Sequence, residues 1–440
     1  MTRSAKLPLS REPFRDALRK GFGRAMLHVR RFGAKGLEDD LLHACLHCVV
    51  HDPQMEGTRG TWLLGLLKRA APLDVFREPI LAKLKNATPE TVSYWDACQL
   101  MALACGYARQ GSKLAYQIIY EKFGEQLYDP TVGGHQIVTL DGLGGFLHVA
   151  EVVGARLKRE VDFRDDGYLL WLANDEFGEQ RVAEALRERS PTSPNVAAFE
   201  YSVNQQRANS KRRGDSGKAP TLSDFLAAVE HDGDAPWVIC RKFARHATAG
   251  ELDEVFSRLL RETEASRLVS YLRVFSSAKL PTLDERMFAL SRSDDDTIRD
   301  NAVTALAQVK AKAVRELGLR FLEEQDLALR KNGIQLLYEN HKSKDIPRIA
   351  AALPKEGPPD VLHGMATTLM MITDRQPRDV ELAKWVYEYN PCSYCRNGAF
   401  RRLVKRDALS KFQLAECAWD GYDETRTSAR RIIKKRRGDG

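Results

Sequence analysis

The sequence predicts an all-α protein built as an α-solenoid, a stack of antiparallel helical hairpins. Apolar residues recur at helical spacing through most of the chain, and one helical motif returns at a nearly fixed interval. In addition, 440 residues are too many for one compact core, so the chain forms either several globular domains or one elongated repeat array. The regular interval favours the array.

The clearest copy of the motif covers residues 295–306. Asp295 stands where a helix begins, and Ile298, Ala302 and Leu306 then lie on one helical face. A basic residue marks the same position in six copies, which follow one another at intervals of 30 to 33 residues: Arg267, Arg299, Arg330, His363, Arg396 and Arg426. A period near thirty indicates stacked supersecondary units.

A second amphipathic segment separates consecutive copies, as at 311–324, 345–353, 378–389 and 410–418. Each unit is therefore predicted to be two antiparallel helices, and neither can bury its apolar face without the next hairpin. Small residues at one shared position, such as Ala302 and Gly333, are expected where neighbouring helices approach closely.

These residues resemble the HEAT-like helical repeat family in its short bacterial form. The resemblance rests on the acidic turn, the Ile298-Arg299 pair and the Ala three residues later, and it covers residues 260–437. It implies an α-solenoid with an extended concave surface, and it brings no activity or cofactor with it. It also implies that the six basic residues, here called the Arg ladder, flank the core and bind the Asp or the carbonyls of the adjacent turn. Ligand contact is the alternative role.

Four regions are predicted along the chain. They are a basic N-terminal segment at 1–36, an N-terminal half of helical repeats at 37–189, a linker or flexible loop at 190–220, and the C-terminal HEAT-like array at 221–437. The linker prediction rests on three prolines and on the polar run 205–218, which carries Lys211, Arg212 and Arg213.

The formal net charge of +8 is concentrated at the two ends of the chain. Residues 1–36 hold ten Lys or Arg against two acidic residues, and residues 426–440 hold seven against one. A protein that follows a nucleic-acid duplex needs cations along the surface that meets the phosphates. Any affinity for DNA or RNA is therefore predicted to reside in these two segments.

The compartment is predicted from what the chain lacks. No apolar run reaches the roughly 20 residues that span a bilayer, which predicts that no membrane is bound. The eight cysteines form no disulfide framework, so reduced thiols and a cytoplasmic location are expected.

Two groups of residues have the chemistry of metal ligands. The first is His43, Cys45, His47, Cys48 and His51, but on one helix its histidines share a face from which the cysteines point away. The second is Cys392-x-x-Cys395, which Cys417 could join. The two groups could combine only if residues about 350 positions apart met, and contacts limited to neighbouring repeats forbid this. Core packing is the favoured interpretation, so no metal, cofactor or catalytic residue is predicted.

Three functions remain open. The leading hypothesis is a non-enzymatic protein-interaction scaffold or adaptor that binds an unidentified protein on the solenoid surface. The alternative is a nucleic-acid-binding protein that uses the basic termini and the Arg ladder. The second alternative is an enzyme on a HEAT-like scaffold, glycosylase-like or lyase-like, for which a basic groove with aromatic residues is expected.

Overall fold

A computed structural model describes residues 7–70, 74–125, 128–160, 162–163, 167–213, 219–375 and 380–438. These residues form 26 α-helices and one short 3₁₀ helix, and no β-strand occurs among them, which confirms the predicted all-α class. The α-helices, in chain order, are α1 Arg11–Lys20, α2 Gly23–Phe32, α3 Glu38–Leu46, α4 Pro53–Glu56, α5 Gly60–Ala70, α6 Asp74–Lys85, α7 Tyr94–Ala108, α8 Lys113–Gly124, α9 Thr131–Arg159, α10 Tyr168–Phe177, α11 Glu179–Arg189, α12 Pro194–Arg213, α13 Leu222–Asp232, α14 Trp237–His246, α15 Ala249–Leu259, α16 Ala265–Val274, α17 Glu285–Leu290, α18 Asp296–Ala307, α19 Lys312–Phe321, α20 Leu327–Leu337, α21 Ile346–Ala352, α22 Pro359–Arg375, α23 Glu381–Tyr389, α24 Ser393–Lys405, α25 Lys411–Cys417 and α26 Asp423–Gly438.

Many helices begin where the sequence supplies a capping side chain. The Asp295 carboxylate accepts two backbone N–H groups in the first turn of α18. Thr221 and Thr248 form reciprocal capping boxes with Asp224 and Glu251 at the starts of α13 and α15. Because the first N–H groups of a helix have no partner within it, these side chains fix where each helix starts.

From α14 onwards, alternate helices lie side by side. Helices α14, α16, α18, α20 and α22 contact one another in that order, and α24 and α26 continue the series. Most of the helices between them pack against the next member of the series, as α15 does on α16 and α19 on α20. The close approaches occur at small residues, since a Cβ on Gly333 would lie 2.8 Å from the Gly318 carbonyl oxygen. Each pair therefore buries its apolar face against the next pair.

In the first half of the chain, α9 packs against five other helices. It contacts α7, α8, α10, α11 and α12. Its tightest contact is with α12, where a Cβ on Gly154 would lie 1.8 Å from the Asn195 carbonyl oxygen. Only a glycine admits another backbone at this distance.

Helix α12 occupies much of the region 190–220, where the sequence predicts a linker or loop. The structure differs because Pro194 stands at the first position of the helix, where a missing N–H costs nothing. Behind it, Val196, Phe199 and Val203 recur at helical spacing and are buried. The polar residues between them conceal this pattern in the sequence. The side chains of Lys211, Arg212 and Arg213 lie outside the described residues.

The two ends of the chain pack against each other. Helix α2 contacts α25, and α4 contacts α24. One hydrophobic core runs from Leu9 to Val203 and continues through residues 319–429, while a second core covers residues 225–336. The predicted basic segment 1–36 is part of the first core, to which it contributes Phe14 and Phe22. Hydrogen-bonded residues as far as 392 positions apart depart from the prediction that each hairpin touches only its neighbours.

Helix α9 is long and apolar enough to cross a membrane, judged by length and composition, and it is the single such helix in the described ranges. It is not one continuous helix, because Gly133 and Gly142 have positive φ angles that interrupt it. In its most apolar stretch, 44% of the residues are buried inside the protein.

The contact between the two ends can be tested at Gly23, where a Cβ would lie 1.9 Å from the Glu416 carbonyl oxygen. Gly23→Ala is expected to lower the free energy of unfolding by about 2–3 kcal/mol, since two backbones must separate. Gly144→Ala is the control, because no atom lies within 4 Å of its Cβ position and alanine favours a helix. Urea unfolding followed by circular dichroism measures both. Equal stability of the two variants would show that the ends do not pack closely.

Candidate functional site

Arg24 joins the second helix to two helices near the end of the chain. Its guanidinium donates to Glu388 at 2.7 and 2.9 Å and to both carboxylate oxygens of Glu416. Glu416 is fully buried, and the Tyr387 hydroxyl also donates to one of its carboxylate oxygens at 3.2 Å. Because a buried charge without a partner is costly, the arginine and the glutamates depend on one another.

Arg396, from the Arg ladder, forms a second buried link between the ends. It donates to Asp420 at 2.9 and 3.1 Å and to the backbone carbonyl of Lys20 at 2.7 Å. The side chains of Arg396 and Asp420 are 1% and 0% exposed. Arg396 therefore holds the loop before α26 against the turn between α1 and α2.

Glu56 and Arg59 form the third link. Arg59 donates to Glu56 at 2.8 Å and to the Leu18 carbonyl at 3.0 Å. The Glu56 carboxylate also accepts from the backbone N–H and the hydroxyl of Ser393, at the start of α24. Burial tends to raise the pKa of Glu56, but Arg59 and Ser393 outweigh burial and hold this pKa below its usual value.

Three of the other five members of the Arg ladder make the same backbone contact, and two do not. Arg299, Arg330 and Arg426 each donate to the carbonyl six residues earlier, those of Ser293, Glu324 and Asp420. This is the contact with the adjacent turn that the structural interpretation predicts. Arg267 lies in the first turn of α16 and is partly exposed, whereas the His363 ring lies 3.3 Å from the Cys395 sulfur.

The cluster at 43–51 does not form one site. The rings of His43 and His47 lie 4.7 Å apart at the end of α3, and Cys45 is fully buried, where burial raises its thiol pKa. Cys48 donates its backbone N–H to Asp96. His51 points away from this group, and its ring centroid is 5.0 Å from that of His363.

Three metal-ligating side chains do meet elsewhere. The ligand atoms of His363, Cys392 and Cys395 all lie within 4.8 Å of one another, and within the described part of the chain no other such group occurs. His363 Nε2 is 3.3 Å from Cys395 Sγ. Cys392 caps α24, Cys395 lies in its first turn, and His363 is on the adjacent α22. Cys417 does not join the pair, since its sulfur lies 3.3 Å from the Tyr387 hydroxyl.

The three side chains of this group are linked by hydrogen bonds that shift their pKa values. The Cys392 thiol hydrogen-bonds to Cys395 and lowers the pKa of Cys395, against the effect of burial. A hydrogen bond with Cys392 is also the largest reason why the pKa of His363 is raised. The Cys392 pKa is raised by its bond to Cys395 and by burial.

Many of the basic residues at the two ends form ion pairs within the protein, most of them at its surface. Asp40 pairs with Arg11 and Arg15, and Asp16 pairs with Lys20 and Arg19. Arg24 is buried, as described above. In the last helix, Arg426 pairs with Asp423 and Arg436 with Asp407. The basic residues that form no ion pair with a described carboxylate are Arg30, Arg31, Lys35, Arg430, Arg431, Lys434, Lys435 and Arg437.

Three unpaired arginines converge on one indole ring. The guanidinium carbons of Arg30, Arg430 and Arg69 lie 4.3, 5.3 and 5.5 Å from the centroid of Trp419. Each of these arginines is exposed and comes from a different helix, α2, α26 or α5. We call Trp419 and these three arginines the Trp419 cluster. The Trp419 backbone carbonyl accepts a hydrogen bond from Trp62 Nε1–H at 2.8 Å, which fixes the loop that carries the ring.

An open depression of about 280 Å³ adjoins the Trp419 cluster. Its lining consists of Ala418, Trp419, Arg430, Ile433, Lys434 and Arg437. Three of these six residues are cationic, and the described residues place no carboxylate in the lining. The arrangement is suited to an anionic group that contacts an aromatic face and several guanidinium groups together.

No protein-family model, curated protein or solved structure matches this chain.

The sequence indicates some components of the two sites but not how they are arranged. His51, His363 and the two cysteines were each identified, but they were assigned to separate groups because the ends of the chain were not expected to meet. Trp419 and Arg69 were missed, since a lone Trp between two helices carries no signal of its own. The unusual density of Arg and Lys in the two ends was the one available indication.

The buried Arg396–Asp420 pair generates a stability prediction. Arg396→Met should lower the free energy of unfolding by about 3–5 kcal/mol, because Asp420 would be left buried and charged without its partner. Arg401→Met is the matched control, since Arg401 and its partner Glu424 are 59% and 55% exposed and such a pair contributes about 0–1 kcal/mol. Chemical denaturation measures both. A small effect at Arg396 would mean that Asp420 is solvated.

Glu56 generates a prediction about pH. Its folded-state pKa lies below its usual value of 4.5, so ionised Glu56 stabilises the fold above pH 4.5 and this contribution is lost as pH falls through the folded pKa. Glu56→Gln should cost about 2 kcal/mol at pH 7 and should lose less stability than the wild type on acidification below pH 4.5. Melting temperatures from pH 3 to pH 7 measure this, with the exposed Glu12→Gln as control. Parallel melting curves for wild type and Glu56→Gln would contradict it.

Proposed function

We propose that this protein binds nucleic acid by contacting the phosphate backbone of the nucleic acid. The binding surface consists of the Trp419 cluster and the basic residues beside it. The observation that carries the proposal is the convergence of three exposed, unpaired arginines from separate helices on one Trp ring. We further propose that the hairpins from α14 onwards form a HEAT-like α-solenoid. The binding surface lies at the end of this solenoid where α25 packs against α2.

Electrostatics favour an anionic ligand at this surface. Three guanidinium groups around one ring repel one another, and no described carboxylate pairs with them. A phosphate would relieve this repulsion, and the planar fork of arginine matches phosphate oxygens in pairs. The cation–π contacts hold the guanidinium groups before a ligand arrives, so less conformational entropy is lost on binding.

The shape of the basic surface favours a polymer over a single small anion. Helix α26 has 16 residues and is therefore about 24 Å long, a length over which duplex DNA presents several phosphates on each strand. Exposed basic residues recur along it at Arg430, Lys434 and Arg437, which share one face at helical spacing. Arg30 and Arg69 extend this face across two neighbouring helices.

This proposal moves the nucleic-acid surface from the predicted tails to a folded face. Residues 1–36 cannot be removed without loss of buried Phe14 and Phe22, so a truncated protein is not a valid test. Substitution of exposed arginines is a valid test. The protein-scaffold hypothesis and the enzyme hypothesis stay predictions.

The test uses fluorescence anisotropy of labelled duplex DNA, single-stranded DNA and RNA. The triple variant Arg30→Gln/Arg69→Gln/Arg430→Gln is expected to bind each about 10- to 100-fold more weakly than the wild type at low salt. The slope of log affinity against log salt should fall by about 2–3, because each lost phosphate contact removes about 0.9 from the slope.

A matched control removes the same charge elsewhere. Lys242→Gln/Arg245→Gln/Arg320→Gln changes three exposed, unpaired cations on α14 and α19 and should keep the affinity within about twofold. Trp419→Leu, with its helicity verified, should weaken binding without a change in the salt slope, since it removes the ring and keeps the charges. Wild-type affinity in the Arg30→Gln/Arg69→Gln/Arg430→Gln variant would refute the proposal and leave the scaffold hypothesis in the lead.

A further inference from the structure

We propose that His363, Cys392 and Cys395 bind one Zn²⁺ ion, with His51 as the fourth ligand. The site lies where α22, the start of α24 and the segment before α4 meet, on the seam between the two ends of the chain. The site uses none of the residues of the Trp419 cluster, so the zinc proposal can be tested independently of nucleic-acid binding.

Ligand spacing is the first argument. Tetrahedral zinc has Zn–S distances of about 2.3 Å and Zn–N distances of about 2.0–2.1 Å, which places neighbouring ligand atoms about 3.3–3.8 Å apart. His363 Nε2 and Cys395 Sγ already lie 3.3 Å apart, and all three ligand atoms lie within 4.8 Å of one another. Binding therefore requires only a small inward movement of side chains.

His51 is the side chain that can complete the tetrahedron. Its ring packs edge-on against the His363 ring, with 5.0 Å between the centroids. Its closest carboxylate, Asp360, is 3.9 Å away and almost fully exposed, so no strong hydrogen bond holds the imidazole in its present orientation. Only 12% of the His51 side chain is exposed, so it already lies within the protein, and its ring must turn to bring a nitrogen into the 4.8 Å group of the other three ligand atoms.

The chemistry of the ligands selects zinc among the common divalent ions. Thiolate and imidazole are the ligands that zinc prefers, whereas Mg²⁺ and Ca²⁺ prefer oxygen. Two thiolates neutralise the charge of the ion, and two neutral imidazoles add none, so the complete site carries no net charge into a half-buried position. The nearby Glu56 carboxylate does not compete, because Arg59 and Ser393 already donate to it.

The surrounding backbone orients the cysteines. Asn390 is fully buried, and its side-chain oxygen accepts the Cys392 N–H at 3.1 Å, which shapes the turn before α24. Cys395 lies in the first turn of that helix, where the free N–H groups and the helix dipole favour a thiolate. Such supporting contacts fix the direction of a ligand before the metal arrives.

The decisive measurement is the metal content of the full-length protein. The chain is expressed in zinc-containing medium, purified without chelator and analysed by inductively coupled plasma mass spectrometry, with about one zinc per chain expected. Replacement of zinc by Co²⁺ should give the intense visible bands of a tetrahedral site and a near-ultraviolet thiolate charge-transfer band.

Single substitutions identify the ligands. Cys392→Ser, Cys395→Ser and His363→Asn should each lose stoichiometric zinc. His51→Asn should keep a three-ligand site and bind zinc about tenfold or more weakly, since even loss of a supporting group outside the ligand set has an effect of that size. Cys98→Ser and His148→Asn are controls of the same residue types and should retain zinc.

A second measurement on the wild type does not depend on whether the variants fold. Zinc should protect Cys392 and Cys395, and no other cysteine, from alkylation in the native protein, as read by mass spectrometry after treatment with and without chelator. The proposal is overturned if the protein, equilibrated with one equivalent of zinc and gel-filtered, retains almost none. It is equally overturned if zinc leaves the alkylation of these two cysteines unchanged, or if they are found joined as a disulfide.

Discussion

The pairing of Arg24 with Glu388 and Glu416 is the constraint on which the rest of the structure depends. These groups lie up to 392 positions apart, and each would be costly to bury alone. Ion pairs of this kind add little net stability over an apolar contact, because desolvation offsets the attraction. Their effect here is to select one register, since a shift of α2 along α25 by one turn would strand three charges. Burial of the apolar residues of the first core stabilises the contact between the two ends of the chain.

This closure of the chain assembles two chemically different surfaces from residues that are remote in sequence. On one side it brings Arg30 of α2 and Arg430 of α26 to the same Trp ring. On the other it brings His51 against His363, beside the two cysteines of α24. Neither group exists in an open stack of hairpins, where each unit contacts only the units before and after it.

Helical periodicity was enough to predict the all-α class and the alternation of helices from α14 onwards, because both depend on local spacing of apolar residues. The cap at Asp295 was also predicted, because this Asp stands directly ahead of the periodic apolar residues. Helix α12 was missed because its apolar residues are diluted by polar ones and preceded by prolines. The contact between residues 51 and 363 could not be predicted, because apolar periodicity reports local structure and carries no information about contacts between distant segments.

The formal charge shows how pairing decides what a basic sequence can do. Residues 1–36 carry ten Lys or Arg, and composition alone makes them a cationic tail. In the fold, Asp16, Asp40 and two distant glutamates take up several of those charges in ion pairs. Among the cations of this segment that form no ion pair with a described carboxylate, Arg30 lies with Arg69 of α5 and Arg430 of α26 around Trp419. A ligand responds to local potential and not to a sum over the chain, so the unpaired arginines around Trp419 matter more for binding than the much larger number that are already neutralised.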